Sequence, residues 1–509
     1  MTVDCREALH LTPMRAPGEI LLIACYELGH QPVAVAWPAA ALERAGYAPA
    51  LLDVSVDGFD AERARRARLV AISVPMHTAL RLGVKVAARV REVNPGCHVA
   101  FYGLYATLNA DYLLAQGADS VMSGEVEAPL LDLVRRLDAG TTVERAPAPH
   151  LARLDLPVPS RAALPALERY AHLEHDGTLA LAGYVEASRG CKHHCRHCPI
   201  PPVYGGHFFV VPVDVVLADV RQLVAAGATH ITFGDPDFLN GPRHALAVAR
   251  AVHAEFPRVT FDITAKVEHL LARRRDLPEL AALGCLFIVS AVESLSDTVL
   301  AHLDKGHAAD DVRAALAVVR DAGIALRPTW VAFTPWTTLD DYRAMLDFVD
   351  SEDLVDHVDP VQFSVRLLVP PGSLLLDTPA LRPHLGPLVS DAFHYRWTHP
   401  DPRMDQLHAS VSALVAEAAK AQEDAAVTFD RIQDLASEAS APETGGSIAP
   451  APGEEAWRRA GRAGAKADIR RREEPKAPPD EDREPQPRRA RPAARPPHPA
   501  PRLTEPWFC

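Results

Sequence analysis

Short apolar runs alternate with longer amphipathic stretches twice along this chain, and that rhythm restricts the fold to layered α/β architecture. In the first series, residues 19–24, 50–53, 69–74, 98–103 and 120–124 read as strands. Residues 38–45, 80–93 and 129–137 read as helices between or after them, with Pro38 suited to a first turn. Such alternation predicts a doubly wound parallel sheet whose ligand loops lie at the strand carboxyl ends. Those loops are 25–31, 74–78, 103–107 and 124–127.

A proline-rich connector, Leu156 to Ser160, separates the second series. There the strand-like runs are 183–187, 229–234, 258–264, 285–290, 325–330 and 361–368, with helices over 212–226 and 242–256. Six strand–helix units predict a partial (β/α)6 barrel, with its chemistry on loops after the strands. Residues 374–437 read as helices around the segment His394 to Pro400, an aromatic and histidine cluster that packs a helical cap. From about residue 440 to 500 the composition collapses to Pro, Ala, Arg, Glu and Gly, which predicts disorder. The expected organisation is therefore 1–150, a linker 151–180, a barrel 181–372, a helical cap 373–438, a disordered linker 439–500 and a tail motif 501–509.

With 509 residues the chain is too long for one ordinary domain. Its formal net charge of -13 argues against nucleic acid or a membrane surface as a general partner. The basic run Arg488 to Arg495 reads as solvated linker. Eight scattered cysteines make no disulfide framework. The polar start lacks a signal-peptide core, and no apolar run of about 18 residues exists, so a reducing cytoplasm is the expected compartment.

The chemistry concentrates in Ser188-Arg189-Gly190-Cys191-Lys192-His193-His194-Cys195-Arg196-His197-Cys198. A cubane [4Fe–4S] cluster has four irons, each normally held by one thiolate. Three clustered thiolates leave one iron open to another ligand. Zinc is the competing reading, because His193, His194 or His197 could complete a tetrahedral site. Against zinc, the next cysteine is the distant Cys285, which reads as a core residue rather than half of a second pair. The array also follows the first strand of the second series, where a barrel places its reactive loops.

Residues 181–372 resemble the core of radical S-adenosylmethionine (SAM) enzymes, in the cysteine array and in the order of the strand ends. The resemblance implies that Cys191, Cys195 and Cys198 ligate the cluster and that SAM chelates the open iron. It implies that His197 lies near the adenine and that Gly234-Asp235-Pro236-Asp237 receives the methionine amino group. Ser290 and Glu293 match a fourth-strand segment that contacts the methionyl or ribose part, and Val369 to Ser373 a sixth-strand end beside the adenine. Capping the next helix, a common role for Asp, is the alternative for Asp235 and Asp237, and their place at a barrel strand end favours the site. Lys266 and Glu268, after the third strand, are further candidates to face the cavity.

The first series resembles the cobalamin-binding domain that precedes many such cores, with Gly103, Gly124 and Glu125 at the matching loops. The D-x-H-x-x-G motif that supplies a histidine to cobalt is absent, and His30 lacks the accompanying Asp and Gly. A sheet that only covers the barrel is the alternative. The resemblance implies an external electron donor of flavodoxin or ferredoxin type and a small-molecule or peptide substrate. It leaves the reaction on that substrate open, methylation among the candidates.

The tail ends Thr504-Glu505-Pro506-Trp507-Phe508-Cys509, where large apolar residues return after a polar tract. It resembles a radical SAM family ending in Cys-Cys-Ala-Glu-Pro or Cys-selenocysteine-Ala-Glu-Pro, which implies a selenoprotein cut at its UGA codon. Two other functions fit parts of the chain, a zinc-binding scaffold and a methylthiotransferase-like RNA modifier. The latter is disfavoured because the acidic chain shows no RNA-binding appendage.

Overall fold

The computed structural model describes residues 13–440 and 500–504. Strands β1 (Ile20–Ala24), β2 (Ala50–Asp53), β3 (Leu69–Ser73), β4 (His98–Tyr102) and β5 (Ser120–Met122) form a parallel sheet in the order β2-β1-β3-β4-β5. Strands covered on both sides need apolar residues at every position rather than at alternate ones. Accordingly Leu21, Ile23, Val70 and Ile72 enter one core, while Ile20, Leu22, Leu69 and Ala71 enter the core on the opposite face. The strand order reverses at β1 and β3, which puts a crevice beyond their carboxyl ends.

Pro38 is not at a first turn. The helix runs Val33–Arg44 with Pro38 inside it. Proline cannot donate to the carbonyl four residues back. The Tyr102 hydroxyl takes that place, donating to Ala34 O at 2.9 Å.

The second sheet contains the hairpin β6 (His172–His175) and β7 (Thr178–Val185), then β10 (His230–Phe233), β11 (Thr260–Thr264), β12 (Cys285–Glu293) and β13 (Ala325–Trp330). A short antiparallel pair, β8 (Ser188–Gly190) and β9 (Phe208–Val210), interrupts the series after β7. The order is β13-β12-β11-β10-β7-β6, and β7 with β10 to β13 are mutually parallel. The result is a curled half-barrel.

The expected sixth strand over 361–368 is not formed. Pro360–Ser364 is a 3-10 turn, opened by Asp359 accepting from Val361 N at 3.0 Å. The Gln362 side chain accepts from Trp330 N at 3.0 Å, so one donor on the β13 edge is met without a backbone ladder. Only a single parallel bridge, Phe333 with Arg366, marks the sixth position.

The C-terminal part also departs from an all-helical reading. Strands β14 (Leu385–Val389) and β15 (His394–Trp397) make a hairpin before the helices Pro402–Ala421 and Ala425–Ser440. At the hairpin turn, Phe393 reaches into one core of the N-terminal sheet. Trp397 packs beside Val299, Leu303 and Val369. Strand β16 (Arg502–Leu503) pairs antiparallel with β6, and Arg327 of β13 donates to Pro501 O at 3.2 Å. The expectations for a disordered linker over most of 439–500 and for Cys509 fall outside the described residues. No helix among the described residues is long and apolar enough to cross a membrane.

Candidate functional site

The cysteine loop begins where β7 ends. Gly190 has φ +73°, and a Cβ there would lie 2.3 Å from His207 O, so only glycine lets β8 and β9 close under the loop. Cys191 and Cys195 are buried and Cys198 is half-buried; all three are free thiols. Burial pushes the Cys198 thiol up to about 12, and negative charge on Cys195 and Cys191 adds to the rise. Thiols that oppose one another's ionisation do not all ionise unless a cation compensates them. An iron–sulfur cluster is such a cation, and the donor set therefore fits one with three protein ligands.

Two groups outside the array attend it. Asn240 Nδ2 donates to Cys191 Sγ at 3.3 Å, and Lys192 Nζ holds Asn240 O at 2.7 Å. Lys305, almost fully buried, feels the charge of Glu293, Cys195 and Cys198. Neither Asn240 nor Lys305 stands out in the sequence. Asn240 is a turn residue, and Lys305 opens a Lys-Gly pair after a helix, a pattern with many other uses.

At the end of β12, Glu293 adopts φ +69°, a left-handed conformation uncommon for a residue with a side chain. A register irregularity between Ala291 and Glu293 accommodates it. Glu293 Oε1 lies 3.2 Å from both Lys305 Nζ and His197 Nε2. Burial opposes its charge, but Lys305 and His197 outweigh burial and hold the carboxyl at about 2. Ser290, on the same strand, is fully buried and its hydroxyl has no partner. The structure thus brings His197, Glu293 and the cysteine loop together, with Ser290 just upstream on β12.

The segment after β10 does something more local. A Cβ on Gly234 would fall 2.0 Å from the Tyr184 ring, and Gly234 O accepts from Tyr184 Oη at 3.4 Å. Asp235 accepts from Ala187 N at 2.9 Å and from the Ser188 hydroxyl, bracing the start of the cysteine loop. Burial lifts its carboxyl to about 7 against those hydrogen bonds. Asp237 Oδ1 accepts from Leu239 N at 3.1 Å, capping the turn that carries Asn240.

The crevice of the N-terminal sheet is bounded by Ser73, Gly103, Gly124, Trp37, Arg189 and Tyr204 and encloses about 260 Å³. Gly103 has φ +103° and Gly124 φ +76°. A Cβ on Gly124 would meet His150 O at 2.4 Å. Glu125 does not point into open space. Its carboxylate accepts from Tyr204 Oη at 2.9 Å and from Arg189 Nη1 at 3.0 Å. Glu127 and Glu186 also accept from Arg189, at 2.7 and 3.0 Å. Burial weakens the Arg189 charge, but Glu127, Glu186 and Glu125 more than restore it. His30 lies elsewhere, stacked on Tyr184 at 4.7 Å and lining the barrel cavity. The position suits a corrin, at the strand ends beside the reversal of order. The volume does not, because pockets for drug-sized ligands run to roughly 300–1,000 Å³ and cobalamin is larger than such a ligand.

Comparison with known proteins agrees with both halves of this architecture. The radical SAM superfamily model matches residues 185–348 and the B12 binding domain model matches residues 20–134. The chain contains a radical SAM domain and a B12-binding domain. A radical SAM domain implies a [4Fe–4S] cluster and SAM, which decides between iron–sulfur and zinc, and the B12-binding domain implies cobalamin.

Among solved structures, the cobalamin-dependent SAM radical enzyme OxsB with aqua-cobalamin bound superposes with TM-score 0.61 at 14% identity, over 77% of this chain and 66% of that one. The radical SAM methyltransferase TsrM from Kitasatospora setae superposes with TM-score 0.55 at 18% identity, over 66% of this chain and 71% of that one. At such identities the likeness concerns the fold.

Curated relatives include the ribosomal protein uS12 methylthiotransferase RimO of Geobacter sulfurreducens, 26% identical over 34% of this chain. The tRNA-2-methylthio-N(6)-dimethylallyladenosine synthase of Chlorobium luteolum is 26% identical over 33% of it. The chain spans about 40% of the length of these two relatives.

Proposed function

We propose that this chain is an enzyme that cleaves SAM reductively to begin radical chemistry on a small polar molecule or a peptide segment. The observation that carries the reading is the convergence of three free thiols with the Glu293–Lys305–His197 group at one barrel mouth. When bound, the cluster supplies the electron that breaks a carbon–sulfur bond of SAM and yields a 5′-deoxyadenosyl radical.

In this reading Cys191, Cys195 and Cys198 hold the cluster. Asn240 donates to Cys191, and Lys305 offsets the negative charge of the thiolates. Glu293, held ionised, accepts from the hydroxyls of SAM, and the unpartnered Ser290 hydroxyl supplies a further polar contact. His197, oriented by Glu293, sits beside the adenine. Gly234 leaves room under Tyr184, and Asp235 acts as a positioning residue for the loop.

The barrel cavity of about 560 Å³, with Thr232, Asp262, Arg327 and Gln362 in its wall, is the substrate chamber. Gly103 and Gly124 line the cobalamin position, and Glu125 beside them is held by Arg189 and Tyr204. Methyl transfer, the activity named for TsrM, is one reaction such a pair of domains serves. An external flavodoxin- or ferredoxin-type donor in the cytoplasm supplies the electron, and the net charge of -13 disfavours nucleic acid as a partner.

The test is anaerobic reconstitution with iron and sulfide, followed by a reductant and SAM. The expected products are 5′-deoxyadenosine and methionine, with none from Cys191→Ala. Stoichiometric zinc without iron, or an iron-loaded protein that leaves SAM intact, overturns the reading.

A further inference from the structure

Three side chains from three separate elements turn unsatisfied atoms toward one point beside the cysteine loop. His193 belongs to that loop, Asp237 to the turn after β10, and His269 to the helix Val267–Ala272 after β11. His193 Nε2, Asp237 Oδ2 and His269 Nδ1 lie within 4.8 Å of one another. All three are buried atoms without a hydrogen-bond partner. Asp237 Oδ2 is 2.6 Å from His269 Nδ1 and 3.8 Å from His193 Nε2. Even the shorter contact lacks hydrogen-bond alignment.

Asp237 is 1% exposed, so its carboxylate has no recourse to water. A buried carboxylate oxygen needs a compensating partner. A shared proton would join two of these atoms and strand the third. One cation satisfies all three. Two imidazoles and a carboxylate with positions left open are a ligand set for first-row divalent metals.

We propose that His193, Asp237 and His269 bind one first-row divalent cation, distinct from the iron–sulfur cluster. At metal–ligand bonds of 2.0–2.2 Å, tetrahedral ligand atoms stand roughly 3.3 Å apart. The observed separations straddle that distance, so modest side-chain movement completes the site. Asp237 is already fixed through Oδ1, which accepts from Leu239 N. His193 Nδ1 faces Lys266 Nζ at 3.0 Å and Glu268 Oε2 at 3.9 Å. Binding at Nε2 requires the imidazole to carry its single proton on Nδ1, which excludes donation from Lys266 there, and Glu268 Oε2 at 3.9 Å must approach to accept that proton. Lys266 is the opposing element, a cation held against the outer nitrogen of one ligand.

The experiment uses the full chain with its cluster loaded, titrated anaerobically with Mn2+ and followed by the six-line electron paramagnetic resonance signal of the free ion. Mn2+ favours oxygen and nitrogen over thiolate, so it does not compete for the cysteines. About one Mn2+ per chain is expected to bind. His269→Ala is expected to weaken binding at least tenfold with iron and sulfide content unchanged. Lys266→Met is expected to tighten binding several-fold, an effect that misfolding cannot imitate. Equal binding by the wild type and His269→Ala overturns the proposal, as does no binding at millimolar Mn2+ by a cluster-loaded chain. Because iron and sulfide are counted separately, failure of the metal site stays distinguishable from failure of the cluster assignment.

Discussion

The crevice of the N-terminal sheet and the mouth of the barrel are made of similar parts, strand ends and short polar loops, yet they treat charge in opposite ways. In the crevice, Arg189 gathers Glu125, Glu127 and Glu186, and the space between them is small. At the barrel mouth, Ser290 Oγ, Asp237 Oδ2 and three thiols are left for something else to satisfy. The crevice also keeps Ser73 Oγ, Trp37 Nε1 and Glu127 Oε2 without partners, but its charged groups are paired with one another around Arg189. A region that leaves buried charged groups unpaired is shaped for ligands, since such groups are costly unless a partner arrives.

The contrast can be broken by mutation, and the largest effect belongs to the thiols. Cys198→Ser is expected to abolish both cluster assembly and SAM cleavage, read from iron content and 5′-deoxyadenosine.

Arg189→Met tests the crevice. It strands the buried carboxylates of Glu125 and Glu127 and the half-buried one of Glu186, and removing one partner from a buried ionic group costs about 3–5 kcal/mol. Denaturant unfolding at neutral pH is expected to show that loss, and acidification toward pH 5 to recover part of it. Unchanged stability would mean that the cluster of acids is solvated.

Glu293→Gln probes the mouth. The folded carboxyl sits near 2, below its ordinary 4.5, so its contribution is present above pH 4.5 and fades as pH falls toward 2. That shift corresponds to about 3 kcal/mol at pH 7. The variant is therefore expected to be less stable than wild type at pH 7 and nearly equal to it near pH 2.5. Unfolding curves at both pH values decide the matter.

The smallest effect is electronic. Asn240→Ala removes the hydrogen bond to Cys191 Sγ and is expected to move the cluster potential negative by tens of millivolts, measured by redox titration. An unchanged potential would detach Asn240 from the site.

Much of the architecture was legible because it depends on neighbours in sequence. Apolar runs such as Leu69 to Ser73, buried on both faces, announce parallel strands without any knowledge of their partners. The cysteine array is equally local. Where a reading failed, a distant group had intervened. Pro38 could sit inside a helix because Tyr102 satisfies the carbonyl it abandons. The run 361–368 lost its strand because Pro360 and the Gln362 side chain replaced the ladder. The hairpin through His394–Trp397 was mistaken for part of a helical cap, because its alternation is short and its pairing partner lies across a turn.

The candidate site divides in the same way. Cys191, Cys195, Cys198, His197 and Glu293 could be singled out from motif and position along the chain. Asn240, Lys305 and His269 could not, since each acts through a residue of another element that only the fold brings near. By itself, then, the sequence determined the two layered sheets and the thiols that belong to one of them, because periodicity and close spacing are properties of a local segment. The tertiary structure alone decided that Glu125 spends its charge on Arg189, that Glu293 is held ionised by Lys305, and that Asp237 faces two histidines. Those outcomes depend on which strand ends meet and how deeply the meeting point is buried, and no local pattern encodes either.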